Sequence, residues 1–203
     1  MGQCHSIFMT AGVILAGGHS RRFGREKAVA VLGGRSLLDW SLEALQGSCE
    51  TIAVSAAAGS GAQAWAEGAQ LAVLMDDPGH PRGPLSGLAA ALIWARAQGF
   101  DTLASLPCDT PRVGPRRMQR LAAALGDAPA VYALTPGGPH PLVAIWRTDL
   151  AEPLRTCLNA GDHPAVQDYL QEIGAQAWGF DDQGFENVNR ESDLARLEIL
   201  MKP

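Results

Sequence analysis

An apolar run that breaks on two glycines and becomes a cationic loop constrains this chain more than any other feature. Residues 13–27 read VILAGGHSRRFGREK. Val13-Ile14-Leu15-Ala16 has the make-up of a buried strand. Gly17-Gly18 ends it, and glycine lets a backbone approach a ligand closely with its N–H groups free to cradle an anion. Arg21, Arg22, Arg25 and Lys27 follow, side chains that make charge-assisted bonds to phosphate. A buried strand feeding such a loop belongs in an α/β sheet, and the loop's chemistry suits a nucleotide. It is not a Walker A loop, because Lys27 lies three residues past Gly24, and G-x-G-x-x-G is absent. That second absence disfavours a nicotinamide reductase.

The rest of the chain alternates between strand-like and helix-like segments, the pattern of a three-layer α/β/α sandwich. Strands are predicted over 12–16, 51–55, 71–75, 102–106, 130–134, 142–146 and 175–180. Helices are predicted over 36–45, 62–67, 85–98, 114–125, 150–159, 165–173 and 191–200. Ser36 makes a fair N-cap, and Gly99 and Gly126 are stops. Pro136 to Pro141 reads as a loop between two strands. Three polar loops follow strands: Gly17 to Lys27, Asp76 to Pro84 and Pro107 to Pro111. Ligands of open α/β sheets bind at such carboxyl ends.

A length of 203 residues favours one domain over 1–203, with residues 1–10 an N-terminal extension ahead of the first strand. Apolar residues make up 47% and charged residues 18%, which supports a large core and excludes global disorder. A net charge of -5 argues against a nucleic-acid partner. No apolar run nears the roughly 20 residues of a membrane span, and MGQCHSIF lacks the basic start of a signal peptide. The expectation is a cytoplasmic protein, and a monomer. Cys4, Cys49, Cys108 and Cys157 form no C-x-x-C pair, so zinc and thioredoxin-like readings are poor. Cys108 alone sits beside interesting chemistry, and a small buried hydrophobe at a strand end accounts for it.

Three further motifs carry chemistry. In LPCDTP, Leu106 to Pro111, Asp109 stands just past an apolar strand. An aspartate there serves either as a Mg²⁺ ligand or as a helix N-cap. In RGPLSGL, Arg82 to Leu88, Gly83-Pro84 and Gly87 suggest close backbone approach at a helix start, to a ligand or to the fold itself. In ENVNRESDL, Glu186 to Leu194, Asn187 and Asn189 point the same way if the segment is extended. Asn189 or Ser192 would also serve as a plain cap for the last helix.

Taken together, LAGG-x-S-x-R-x-G-x-x-K, GPL-x-GL, PCD-x-P and N-x-N before a closing helix resemble the nucleotidyltransferases of the GT-A-like α/β/α fold, with a mostly parallel, Rossmann-like sheet. Within them the pattern is most similar to the molybdenum cofactor guanylyltransferases, from Gly12 to about Leu197. The resemblance implies transfer of GMP from GTP to molybdopterin, with pyrophosphate released. It implies Mg²⁺, replaceable by Mn²⁺, and as protein partners the molybdenum-insertion proteins and apo-molybdoenzymes. By position, Leu15, Ala16, Gly17 and Gly18 would line guanine and ribose, Arg22 and Lys27 would hold the triphosphate, and Asp76 would sit at the nucleotide site. Asp109 would bind the metal with Asn189, while Gly83, Pro84, His140 and Asn187 would face the acceptor. The chain departs from the family at Ala56-Ala57-Ala58, where some relatives carry an asparagine, and at Phe23, where methionine is common. Gly17-Gly18 favours guanine over the LAAG of sister cytidylyltransferases. A CTP-dependent enzyme, a sugar- or polyol-phosphate nucleotidyltransferase and a non-catalytic cofactor-delivery protein are the competing readings.

Overall fold

The structure, a computed structural model, describes residues 9–17, 23, 26–77, 79–81, 83–181 and 184–201. A seven-stranded sheet forms the middle layer, in the order β5-β4-β1-β6-β8-β7-β9. The strands are β1 (Thr10–Leu15), β4 (Thr51–Ser55), β5 (Ala72–Leu74), β6 (Thr102–Pro107), β7 (Ala130–Thr135), β8 (Gly138–Arg147) and β9 (Gln176–Gly179). β1 pairs in parallel with β4 and β6, and β5 adds in parallel to β4. β8 is the antiparallel member, lying between β6 and β7. β2 (Val31–Leu32) and β3 (Arg35–Ser36) form a separate two-stranded ribbon.

Alternation along the strands sends side chains to both faces. Ile14, Val54, Leu106 and Ile145 pack on one side with α1 (Leu37–Gln46), α2 (Gly61–Gly68) and α4 (Gly114–Ala123). Val13, Leu103, Ala144 and Trp146 pack on the other with α3 (Pro84–Ala97), α5 (Ala151–Asn159) and α6 (Val166–Glu172). Strands buried on both faces read as continuous apolar runs, which is why VILA and TLASL carry so few polar residues. A third, smaller cluster joins Phe23, Leu32 and Leu37 to Val188 and to Leu194 and Leu197 of α7 (Glu191–Leu200).

Two sequence expectations are corrected here. The loop predicted over Pro136 to Pro141 is mostly strand: β8 begins at Gly138, and Thr135 pairs with Gly138 across a two-residue turn. Pro139 and Pro141 are tolerated because β8 pairs with β6 only through its residues Ala144 to Arg147, so no ladder bond to that neighbour is lost. The last helix is capped by neither Asn189 nor Ser192. The carboxylate of Asp193 instead accepts the backbone N–H groups of Asn189 and Arg190, both at 2.8 Å.

Candidate functional site

Four strands end on one edge, and their following residues meet in a single cavity. Leu15, Ala16 and Gly17 come from the end of β1, Ser55 from β4, Asp76 from beyond β5, and Pro107, Cys108 and Asp109 from β6. Gly83, Pro84 and Gly87 of the α3 start close one side. Glu26, Lys27 and Ala28 close another, and Leu142 of β8 completes the lining. Backbone bonds lock the strand ends together: Ala16 N–H donates to Ser55 O at 2.9 Å and Cys108 N–H to Leu15 O at 3.2 Å.

Lys27 Nζ donates to Asp109 Oδ2 at 2.8 Å, and both side chains are mostly buried, 17% and 22% exposed. Two residues 82 apart in sequence thus face each other across the cavity. A pair this sheltered is costly to break unless another charge takes its place. Beyond Asp109, Thr110 turns the chain back, its hydroxyl donating to Pro107 O at 3.0 Å. Val188 N–H donates to Asp109 O at 2.8 Å, which lays the 184–189 segment against the Asp109 turn. Val188 is buried, while Asn187 and Asn189 on either side of it are exposed.

Of the residues singled out in the sequence, Leu15, Ala16, Gly17, Lys27, Asp76, Gly83, Pro84 and Asp109 line this cavity together. Gly18 and Arg22 lie outside the described residues, as do Arg21 and Arg25. Asp76, not its neighbour Asp77, faces in; the Asp77 carboxylate accepts Gly79 N–H at 2.8 Å instead. Desolvation raises the Asp76 carboxyl pKa, with His80 pulling the other way. His140 is not in the cavity lining. Its ring packs at a tilt of 36° against Phe185, centroids 5.0 Å apart, and its Nε2 lies 3.1 Å from Thr135 Oγ1. Burial lowers its pKa, while the charges of Asp109 and Glu186 act to raise it.

Both helix-start glycines answer to close approach. A Cβ on Gly83 would stand 2.3 Å from the His163 ring, and one on Gly87 would stand 2.6 Å from Ser55 Oγ. Cys108 is a small buried residue at a strand end, its thiol pushed up to about 12 by burial and so protonated at neutral pH.

Glu26 and Ser55 escaped the sequence reading. The Glu26 carboxylate accepts from Gly61 N–H at 2.6 Å and Ala62 N–H at 2.8 Å, the first turn of α2. A carboxylate there satisfies free donors and the helix dipole together. Its signal was hidden in a loop whose basic residues draw attention. Ser55 is a single serine closing an otherwise ordinary strand and carries no local mark.

Comparison with known proteins identifies the family and the fold. Residues 12–175 match the family model of the MobA-like NTP transferase domain. A molybdenum cofactor guanylyltransferase of Cereibacter sphaeroides is 42% identical over 193 residues, covering 94% of this chain and 96% of that protein. One of Acidiphilium cryptum is 41% identical over 92% of each. The molybdopterin-guanine dinucleotide biosynthesis protein A of Archaeoglobus fulgidus superposes with a TM-score of 0.75 at 24% identity, over 95% of this chain and 98% of that one. The fold is shared more widely: a CMP:2-keto-3-deoxy-manno-octonic acid synthetase complexed with CTP gives 0.74 at 14% identity, over 95% and 98% of the two chains. The chain belongs to the MobA-like NTP transferases, among the molybdenum cofactor guanylyltransferases.

Proposed function

We propose that this protein transfers GMP from GTP to molybdopterin, its terminal phosphate attacking the α-phosphorus in line as pyrophosphate leaves. The observation that carries the reading is the meeting of Leu15–Gly17, Lys27, Asp76 and Asp109 in one cavity at the carboxyl edge of the sheet. The family's curated members bear the matching name. Little covalent work falls to the protein in such a transfer, so positioning and charge neutralisation dominate. No general base is needed, because an attacking phosphate monoester is already ionised near neutral pH.

In this reading the backbone of Leu15 to Gly18 lines the base and ribose, with Asp76 beside them. Lys27 and Arg22 stabilise charge that builds on the leaving pyrophosphate. The donor set this reading invokes is hard oxygen: the Asp109 carboxylate and the amide of Asn189, the residue after Val188, whose N–H bonds Asp109 O. Such a set suits Mg²⁺, or Mn²⁺ in its place, which takes one or two carboxylates and completes its shell with phosphates and water. When bound, the ion supplies Lewis-acid polarisation of the phosphate oxygens. Lys27 then exchanges its contact with Asp109 for phosphate. Gly83, Pro84, His140 and Asn187 face the acceptor. The same reading has a cytoplasmic monomer that hands its product to molybdenum-insertion proteins and apo-molybdoenzymes. No helix among the described residues is long and apolar enough to cross a membrane.

Calorimetric titration with GTP and with CTP, each with and without Mg²⁺, tests the reading. GTP binding that gains from Mg²⁺, with weak CTP binding, is the expected result; a preference for CTP overturns it. Asp109→Ala is expected to lower turnover by a factor on the order of 10². A near-normal rate removes Asp109 from the metal role.

A further inference from the structure

The cavity holds few polar side chains, and most are already committed. Among the described lining residues, Lys27 and Asp109 pair with each other, and Glu26 is taken by the N–H groups of α2. Ser55 and Asp76 remain. Ser55 ends β4 opposite Leu15, and its carbonyl is fixed by Ala16 N–H. Val54 packs into the core on the α1 side, so Ser55 faces the other way, toward α3. Its hydroxyl lies 3.9 Å from where a Cβ on Gly17 would stand and 2.6 Å from the same point on Gly87. Asp76 Oδ1 lies 3.4 Å from that Gly87 point. A hydroxyl and a carboxylate from neighbouring strand ends therefore converge beside Gly87, next to the Leu15–Gly17 backbone. The residues after Ser55 are three alanines, so this strand end offers no other side-chain donor.

We propose that Ser55 determines base specificity: its hydroxyl donates to O6 of the purine, while the Asp76 carboxylate accepts from N1–H and the 2-amino group. This rests on the GTP reading above. The guanine edge presents one acceptor beside two donors, and a hydroxyl beside a carboxylate is its complement. Cytosine presents an amino donor beside acceptors, and two acceptors facing a carboxylate are unfavourable. Gly87 is then the residue that leaves room for the hydroxyl, because any side chain there would displace it.

The test compares GTP, 6-thio-GTP and ITP as substrates of the intact protein and of Ser55→Ala. Sulfur is a poor acceptor, so the unaltered protein is expected to favour GTP over 6-thio-GTP by a factor on the order of ten in kcat/KM. In Ser55→Ala that preference falls to about one, through a higher KM for GTP. Discrimination against ITP, which lacks the 2-amino group read by Asp76, stays as it was. A Ser55→Ala protein that still discriminates against 6-thio-GTP overturns the proposal while leaving guanylyl transfer intact. An unaltered protein that uses CTP in preference to GTP overturns the functional reading itself, and this inference with it.

Discussion

Asp39 serves two helices from one side chain. Its Oδ2 accepts the N–H and the hydroxyl of Ser36, at 2.8 and 2.6 Å, while Ser36 Oγ accepts Asp39 N–H at 3.1 Å. Its Oδ1 accepts the Trp65 indole N–H of α2 at 3.1 Å. Burial pushes the Asp39 carboxyl up, but the Ser36 and Trp65 hydrogen bonds and Arg35 bring it below the usual 3.8. A depressed folded-state pKa contributes stability above the unfolded value and loses it as pH falls through the folded one. Asp39→Asn is therefore expected to cost about 1 kcal/mol at neutral pH, and less and less below the ordinary carboxylate range. Urea melts at neutral and acid pH measure both. The Ser36 cap was legible because S-x-x-D is a local pattern. The Trp65 bond was not, because it depends on how α2 packs. The same divide runs through the cavity: Lys27 and Asp109 were legible as types, but nothing local reveals that they touch.

At the scale of elements, the loop that ends in Lys27 is anchored from both sides. Glu26 ties it to the first turn of α2, and Ala30 N–H donates to Lys27 O at 2.9 Å. Glu26→Ala removes two charge-assisted bonds at a helix N-terminus. It is expected to cost about 1 kcal/mol of stability and to weaken GTP binding about fivefold, read by a urea melt and by titration. An unchanged GTP affinity in a destabilised protein would confine Glu26 to α2. Long periodic elements were legible: the structure has β4 over 51–55 and α7 over 191–200, as their patterns predict. The β2–β3 ribbon was missed although its signal was present. Gly33 and Gly34, with φ of 59° and 81°, make a tight hairpin turn that demands positive φ at both positions. Strands of two residues show too little alternation to draw the eye. β8 was read short because proline normally marks a loop, and only its position past the end of the β6 pairing permits it in a strand.

The whole molecule has a core on each face of the sheet and a third cluster that binds distant parts of the chain together. Leu197, fully buried, packs in that third cluster with Phe23, Leu37 and Val188. Leu197→Ala is expected to cost about 2–5 kcal/mol. It should also lower turnover beyond what the unfolded fraction explains, since Val188 holds Asp109. Rates and melting curves on the same sample separate the two effects, and a rate that tracks only the folded fraction would uncouple the cluster from the site. The sandwich itself was legible because alternating apolar segments leave few other arrangements. The third cluster was not, because its members are scattered from residue 23 to residue 197.

The bond from Val188 to Asp109 also bears on the order in which the protein is made. Every strand of the main sheet has been synthesised by residue 179, yet the segment that closes against Asp109 begins only at 184. A chain still emerging from the ribosome can complete its sheet before its site. The site is then assembled only after the sheet, once residues 184–189 have been made.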